Sequence, residues 1–464
     1  MFHLQINEFL NSVCEQIKYK PIRNTISEEL KNHIEDKKEE LIENGQNEQE
    51  AEENAVEQMG DAKLIGKELN KVHKPRLDWK LLIILIILLG FGFLVSYIIT
   101  LNEETEMMKY IKQNVAEYIT TNYMLKYIMY LAIGLIIGIA VYFYDYKRLK
   151  NKSLILYEIA TAVIILTLLF GMSVNGIKFL RIGNHGIRAN AIAMPLYIIA
   201  FIGFLENINK ENKLTEIFKE KNIKINANIL LVIALSIISL VMLTLIPSLS
   251  SVIVMAIAYL ILATRKIKNE SKNKKKDILI LWGIPIILGI VFLLLEGIMN
   301  PFFWDRFISV YNPAEYEDGY GWISLNRKQI IDSAQKFGEA GNMSYAIYLF
   351  DSESNNEIIS ILAHFGWIPT IALIIAVVAF STKLVINSFK IKEQYGSFII
   401  LGIGCMFILQ SLFNVLINFN LIYDASFNLP FVTYGGANLV IDLICLALIF
   451  SIYRRKDINM MINK

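Results

Sequence analysis

The sequence predicts an all-α protein, a polytopic membrane chain of about ten transmembrane helices behind a small soluble N-terminal helical domain. Three observations predict it. Of 464 residues, 55% are hydrophobic and the mean hydropathy is +0.45, more apolar surface than soluble cores of ordinary size can bury. Those residues are clustered: Leu81–Leu101 and Ala227–Leu245 carry no charge. Each run is close to the about 20 residues with which a helix crosses about 30 Å of hydrocarbon, and lipid cannot satisfy exposed backbone groups, so such runs must be helical. Finally, basic residues gather at every second span end, as a membrane topology requires.

Residues 1–75 are polar and rich in Glu and Lys. No cleaved signal peptide is expected, and the first span should act as an uncleaved anchor. Thr25 followed by Glu28 fits a capping box, and Ile26, Leu30, Ile34 and Leu41 mark an apolar stripe ending at Gly45. Asn47 with Glu50 restarts a helix that stops at Gly60, and Asp61 caps another carrying Ile65, Leu69 and Val72. Each stripe is small, so the unit is expected to dock on itself, on a second copy or on a partner. A loosely ordered acidic tail is the alternative.

Spans are expected at about 80–101, 124–144, 153–173, 189–205, 227–247, 249–265, 278–299, 357–382, 397–421 and 433–453. Lys147 to Lys152 follow the second, Lys210 to Lys224 the fourth, and Arg265 to Lys276 the sixth. Lys383 to Lys392 follow the eighth, and Arg454 to Lys456 the tenth. Every even-numbered exit is basic, which places both termini in the cytoplasm of a bacterial plasma membrane. The other side then holds residues 102–123, 174–188, the long stretch 300–356 and 422–432. The long stretch carries Trp304, Arg306, Tyr311, Tyr320 and Trp322, and reads as an ordered segment lying on the membrane. Cys14, Cys405 and Cys445 have no metal-like spacing, and the near-neutral net charge of +2 offers nothing to nucleic acid.

Chemistry is sought among intramembrane polar residues and outer loops. Leu429-Pro430-Phe431-Val432-Thr433-Tyr434-Gly435-Gly436-Ala437-Asn438 opens the tenth span; its paired glycines serve close helix packing or a re-entrant turn. This decapeptide resembles the LPF-(I/V)-(S/T)-YGG signature of the SEDS family (shape, elongation, division and sporulation), which includes FtsW, RodA and SpoVE. Gln410 and Asn414 resemble its Gln-x-x-x-Asn in the ninth span. Asp305-Arg306-Phe307-Ile308 with Asn312-Pro313 resembles the opening of its large outer loop, and His364-Phe365-Gly366-Trp367 its turn into the eighth span.

The resemblance implies work on lipid II, the undecaprenyl-pyrophosphate-linked disaccharide of peptidoglycan synthesis, or on a related lipid-linked glycan. It implies glycan polymerisation on the outer face beside a class B penicillin-binding protein. It gives a substrate-binding set of Gln410, Asn414, Thr433, Tyr434, Gly435 and Gly436. The prefix resembles the short helical domain found before assorted bacterial permeases. No resident cofactor is expected, although the substrate's pyrophosphate can carry a divalent cation.

Three acidic positions of the family are neutral here. Its Q-P-S-E segment aligns with Arg188-Ala189-Asn190-Ala191, its P-D-L-G-T segment with Pro247-Ser248-Leu249-Ser250-Ser251, and its essential loop aspartate with Asn355. An asparagine amide is no base, so Asp351, Glu353 or Glu357 would have to take the acceptor's proton. The alternative is that these are solvated helix-cap acids at the start of the eighth span. Lys178, Arg181 and Arg188 in the second outer loop, with Arg306 and Arg327 in the third, suit a pyrophosphate or equally anionic lipid. Besides the glycosyltransferase, the sequence admits a catalytically silent scaffold for a cell-wall synthase and a transporter of the lipid-linked precursor.

Overall fold

The structure, a computed structural model, describes residues 4–73, 77–103, 123–174, 177–182, 185–209, 226–246, 248–299, 303–316, 319, 321–341, 355–422, 427–433 and 436–456. The chain divides into two compact units, Met1–Asp78 with Ile452–Lys464, and Trp79–Ser451.

The first unit contains α1 (Leu4–Gln16), α2 (Arg23–Glu43), α3 (Glu48–Met59) and α4 (Ala62–His73). Their apolar stripes meet in one core of Phe9, Val13, Ile17, Ile26, Ile34, Ala51 and Ala55 among others. Asn47 caps α3 by accepting the Glu50 N–H at 2.8 Å, and Asp61 accepts that of Lys63 at 2.8 Å. The capping box expected at Thr25 does not form. Pro21 opens a 3₁₀ turn over Lys20–Ile22, which runs directly into α2 and leaves Thr25 inside the helix. α1 was not anticipated from the apolar spacing.

The second unit has ten helices long and apolar enough to cross a membrane among its described residues. They are α5 (Trp79–Glu103), α6 (Tyr123–Phe143), α7 (Ser153–Phe170), α8 (Ala189–Glu206), α9 (Ala227–Leu245), α10 (Leu249–Glu270), α11 (Lys274–Met299), α15 (Trp367–Lys390), α16 (Gln394–Asn418) and α17 (Gly436–Arg454), with α12 (Phe303–Tyr311), α13 (Trp322–Ser333) and α14 (Glu357–Phe365) between α11 and α15. Burial ranks the spans. α8 is 67% buried, α16 61% and α17 56%, whereas none of α11 is. The first three therefore form the centre, and α11 stands at the edge.

Two local findings position the site. The 174–188 loop holds a three-stranded antiparallel sheet, β1 (Met172–Val174), β2 (Ile177–Ile182) and β3 (His185–Ile187). Met172 is opposite Phe179, and Leu180 opposite Ile187, so the chain enters α8 with Arg188 at its N-cap. The eighth span, expected to begin at 357, is instead broken. α14 ends at Gly366, whose φ of +85° suits glycine, and the span itself starts at Trp367. A Cβ on Gly366 would lie 2.6 Å from the Gln335 carbonyl oxygen, so the break is wedged against the end of α13. α14 is thereby turned inward, with its first seven residues buried.

Candidate functional site

The inward turn of α14 places Glu357 inside the protein. It is 2% exposed, so it is not the solvated cap acid weighed above. Its Oε1 accepts the Thr433 hydroxyl at 2.6 Å and its Oε2 the Asn414 amide at 3.1 Å. Asn414 also donates to the Phe427 carbonyl at 2.6 Å. One turn on, Asn418 donates to the Asn355 carbonyl at 2.8 Å and accepts the Ile359 N–H at 3.2 Å. Asn414 and Asn418 share one face of α16 because they are four residues apart, and together they bind α14 and the 427–433 segment to that span. Burial pushes the Glu357 carboxyl up to about 7, against the opposing pull of the Thr433 and Asn414 hydrogen bonds and the Arg188 charge.

The segment from Phe427 to Thr433 is not helical. Non-helical backbone at membrane depth is tolerated only where protein or a cavity surrounds it, and here several of its backbone polar groups find partners. Thr433 Oγ1 accepts the Leu429 N–H at 3.0 Å, Tyr127 donates to the Phe431 carbonyl at 3.2 Å, and the Phe431 N–H donates to Asp442 at 3.3 Å. Phe431 has a φ of +66°, a strained value for a large side chain. Its ring is gripped by Phe380 and Phe407, each with its centroid 5.2 Å away.

Of the residues selected from sequence, Asn355, Glu357, Asn414 and Thr433 come together. Gln410 lines a neighbouring cavity instead. Gly436 is a packing residue in this structure, since a Cβ there would lie 2.0 Å from the Tyr130 ring. Lys178 donates to the Leu168 carbonyl at 2.8 Å, at the C-terminal end of α7. Arg188 lies 6.0 Å from the Phe179 ring, and Arg306 is on α12. Arg181 belongs to β2, with its side chain outside the described residues; Asp351, Glu353, Tyr434 and Gly435 also lie outside them. Arg327, grouped with the pyrophosphate binders, is 1% exposed. It donates twice to Asn356 Oδ1, at 2.9 and 2.6 Å, and to the Ile417 carbonyl at 3.3 Å.

The stretches 188–191 and 248–251, aligned above with two acidic segments of the family, also meet. Asn190 donates to Ser248 Oγ at 2.9 Å and Ser251 Oγ at 2.6 Å, so the starts of α8 and α10 are joined by uncharged bonds. Asn418 and Asp442 were missed from sequence. The signals for them were the i+4 spacing from Asn414 and a carboxylate inside an apolar span.

A ten-span bundle with a buried polar cluster beside a non-helical segment defines a multi-pass membrane protein. The sequence profile of the FtsW/RodA/SpoVE cell cycle proteins matches residues 79–458, and the chain belongs to that family. It is 24% identical to a probable peptidoglycan glycosyltransferase FtsW of Saccharophagus degradans, over 70% of this chain and 82% of that one. It is 30% identical to the one from Bacillus subtilis, over 36% and 42%. Its fold is similar to a chain of a peptidoglycan synthase complex that coordinates polymerization and crosslinking, with a TM-score of 0.61 at 15% identity, covering 82% of this chain and 98% of that one. It is also similar to the rod shape determining protein RodA of Thermus thermophilus, with a TM-score of 0.52 at 12% identity, covering 82% and 97%.

Proposed function

We propose that this chain is a peptidoglycan glycosyltransferase that polymerises lipid II, or a related undecaprenyl-pyrophosphate-linked glycan, on the outer face of the plasma membrane. Its termini are cytoplasmic, and a class B penicillin-binding protein is its partner. The observation that carries the reading is Glu357, a buried carboxylate two residues from the neutral Asn355, held between Thr433 of the Leu-Pro-Phe segment and Asn414 of the ninth span. A carboxyl tuned to near 7 is matched to general-base work at neutral pH. In the proposed step an acceptor sugar hydroxyl displaces the Thr433 hydroxyl from Glu357 and gives it a proton. The hydroxyl oxygen bonds the donor's anomeric carbon, and the bond to undecaprenyl pyrophosphate breaks, the pyrophosphate leaving with the bonding pair.

The test is glycan synthesis by the purified chain with lipid II, with and without the penicillin-binding protein. Glu357→Gln should lower turnover by about 10²–10⁴-fold, the usual weight of general-base catalysis, and leave lipid binding intact. A Gln variant as active as the parent removes Glu357 from the chemistry. If the parent, Glu357→Gln and Asn355→Asp are all inert beside a working relative, the silent scaffold replaces the enzyme.

A further inference from the structure

A second polar feature lies apart from the Glu357 cluster. Where the first turns of α8, α10 and α17 face α16 and the 427–433 segment, a cavity of about 30 Å³ is lined by Asn190, Ser251, Gln410, Asn428, Asn438 and Asp442. No Lys, Arg or His is among its lining residues. Its polar atoms are unbalanced. The Asn190 amide donates to the serines already described. Asp442 accepts the Phe431 N–H through Oδ2. Asn428 Oδ1 and Asn438 Oδ1 are shut off from solvent and have no hydrogen-bond partner among the described residues. The cavity therefore combines unsatisfied carbonyl oxygens with a carboxyl group that no basic residue among the described lining residues faces, a costly arrangement at membrane depth.

We propose that this cavity is a binding site for one monovalent cation of about the size of Na⁺, with Asp442 as its charged ligand and the amide oxygens of Asn428 and Asn438 among its neutral ones. Size selects the class of ligand. One water needs roughly 10–15 Å³ of such space, so about 30 Å³ is room for an ion with a water. Charge selects within the class. Divalent Ca²⁺ is usually met by several carboxylates, whereas a single carboxylate among neutral oxygens balances one positive charge. The setting is also apt, because unwound backbone between membrane helices is where transporters coordinate Na⁺. The site adjoins the Glu357 cluster through the Phe431 N–H bond to Asp442, so it is tested by ion binding rather than by glycan synthesis.

The experiment uses the purified full chain in lipid nanodiscs, with NaCl replacing choline chloride at fixed ionic strength. Melting temperature and ²²Na⁺ binding are the two readouts. One saturable site and a rise in melting temperature of a few degrees are expected, because a ligand held only by the folded state stabilises it. Asp442→Asn should weaken the half-saturating Na⁺ concentration at least tenfold, and Asn438→Ala several-fold. A parent that does not distinguish Na⁺ from choline overturns the proposal, and so does an Asp442→Asn variant with unchanged Na⁺ binding. If Asp442→Asn does not fold, Asn438→Ala decides, and an unshifted half-saturation there is equally fatal.

Discussion

Replacing Glu357 by Gln should change how the stability of the protein depends on pH. In the folded chain the carboxyl holds its proton up to about 7, against 4.5 for an ordinary glutamate. Between those values the folded state keeps a proton that the unfolded chain has released. Stability must therefore fall as pH rises through this window, and level off above it. Each tenfold in proton affinity is about 1.4 kcal/mol, so the full span corresponds to about 3 kcal/mol, or a few degrees of melting temperature in a chain of this size. Glutamine does not ionise, and its one carbonyl oxygen can accept from Asn414 while its NH₂ donates to the Thr433 hydroxyl, as a protonated carboxyl would. The assay is the melting midpoint in nanodiscs at intervals from pH 4.5 to 8. The parent should lose stability across the range, and the difference between parent and Gln variant should vanish at the acid end. Thr433→Val, which removes the hydrogen bond that favours the ionised form, should move the parent's window to higher pH. A Gln variant with the parent's slope, or a parent with none, refutes the assignment. Catalysis by the same group would run the other way with pH, since a base works once it is ionised.

Gly436→Ala should destabilise the membrane unit by about 1–3 kcal/mol through overpacking against the Tyr130 ring, and a melting midpoint equal to the parent's would show that the ring yields freely. Cysteines replacing Lys272 and Asn312, both exposed, test the topology: an impermeant maleimide added to intact cells should label only the latter. Ile34→Asp, at the centre of the prefix core, should unfold α1–α4, read as lost helical circular dichroism in an isolated 1–78 segment; a helical spectrum like the parent's would reject that core.

The spans were legible because composition alone decides whether a helix can sit in lipid. The caps at Asn47 and Asp61 were legible because they act over two or three residues. Thr25 misled because Pro21, four residues earlier, sets where the helix begins. The eighth span misled because a single glycine at 366 breaks an apolar run that reads as continuous. The burial of Glu357 depends on partners 57 and 76 residues away, and no local pattern reports such a distance. The motif residues Asn414 and Thr433 were still the right place to look, although their shared carboxylate emerges only once α14 turns inward.

α11 has consequences beyond its place at the edge. None of the described residues of its apolar stretch is fully buried in protein, and near its first end Trp282 donates to Thr264 of α10 at 2.8 Å. It packs on α10 near that end, and its lipid-facing remainder adjusts to the thickness of the surrounding bilayer, each ångström of mismatch weighing a fraction of a kcal/mol. The far end of α11 leads to α12 and its Arg306. A change in membrane thickness should therefore act first on α11 and the segment that follows it, and last on the buried spans α8, α16 and α17.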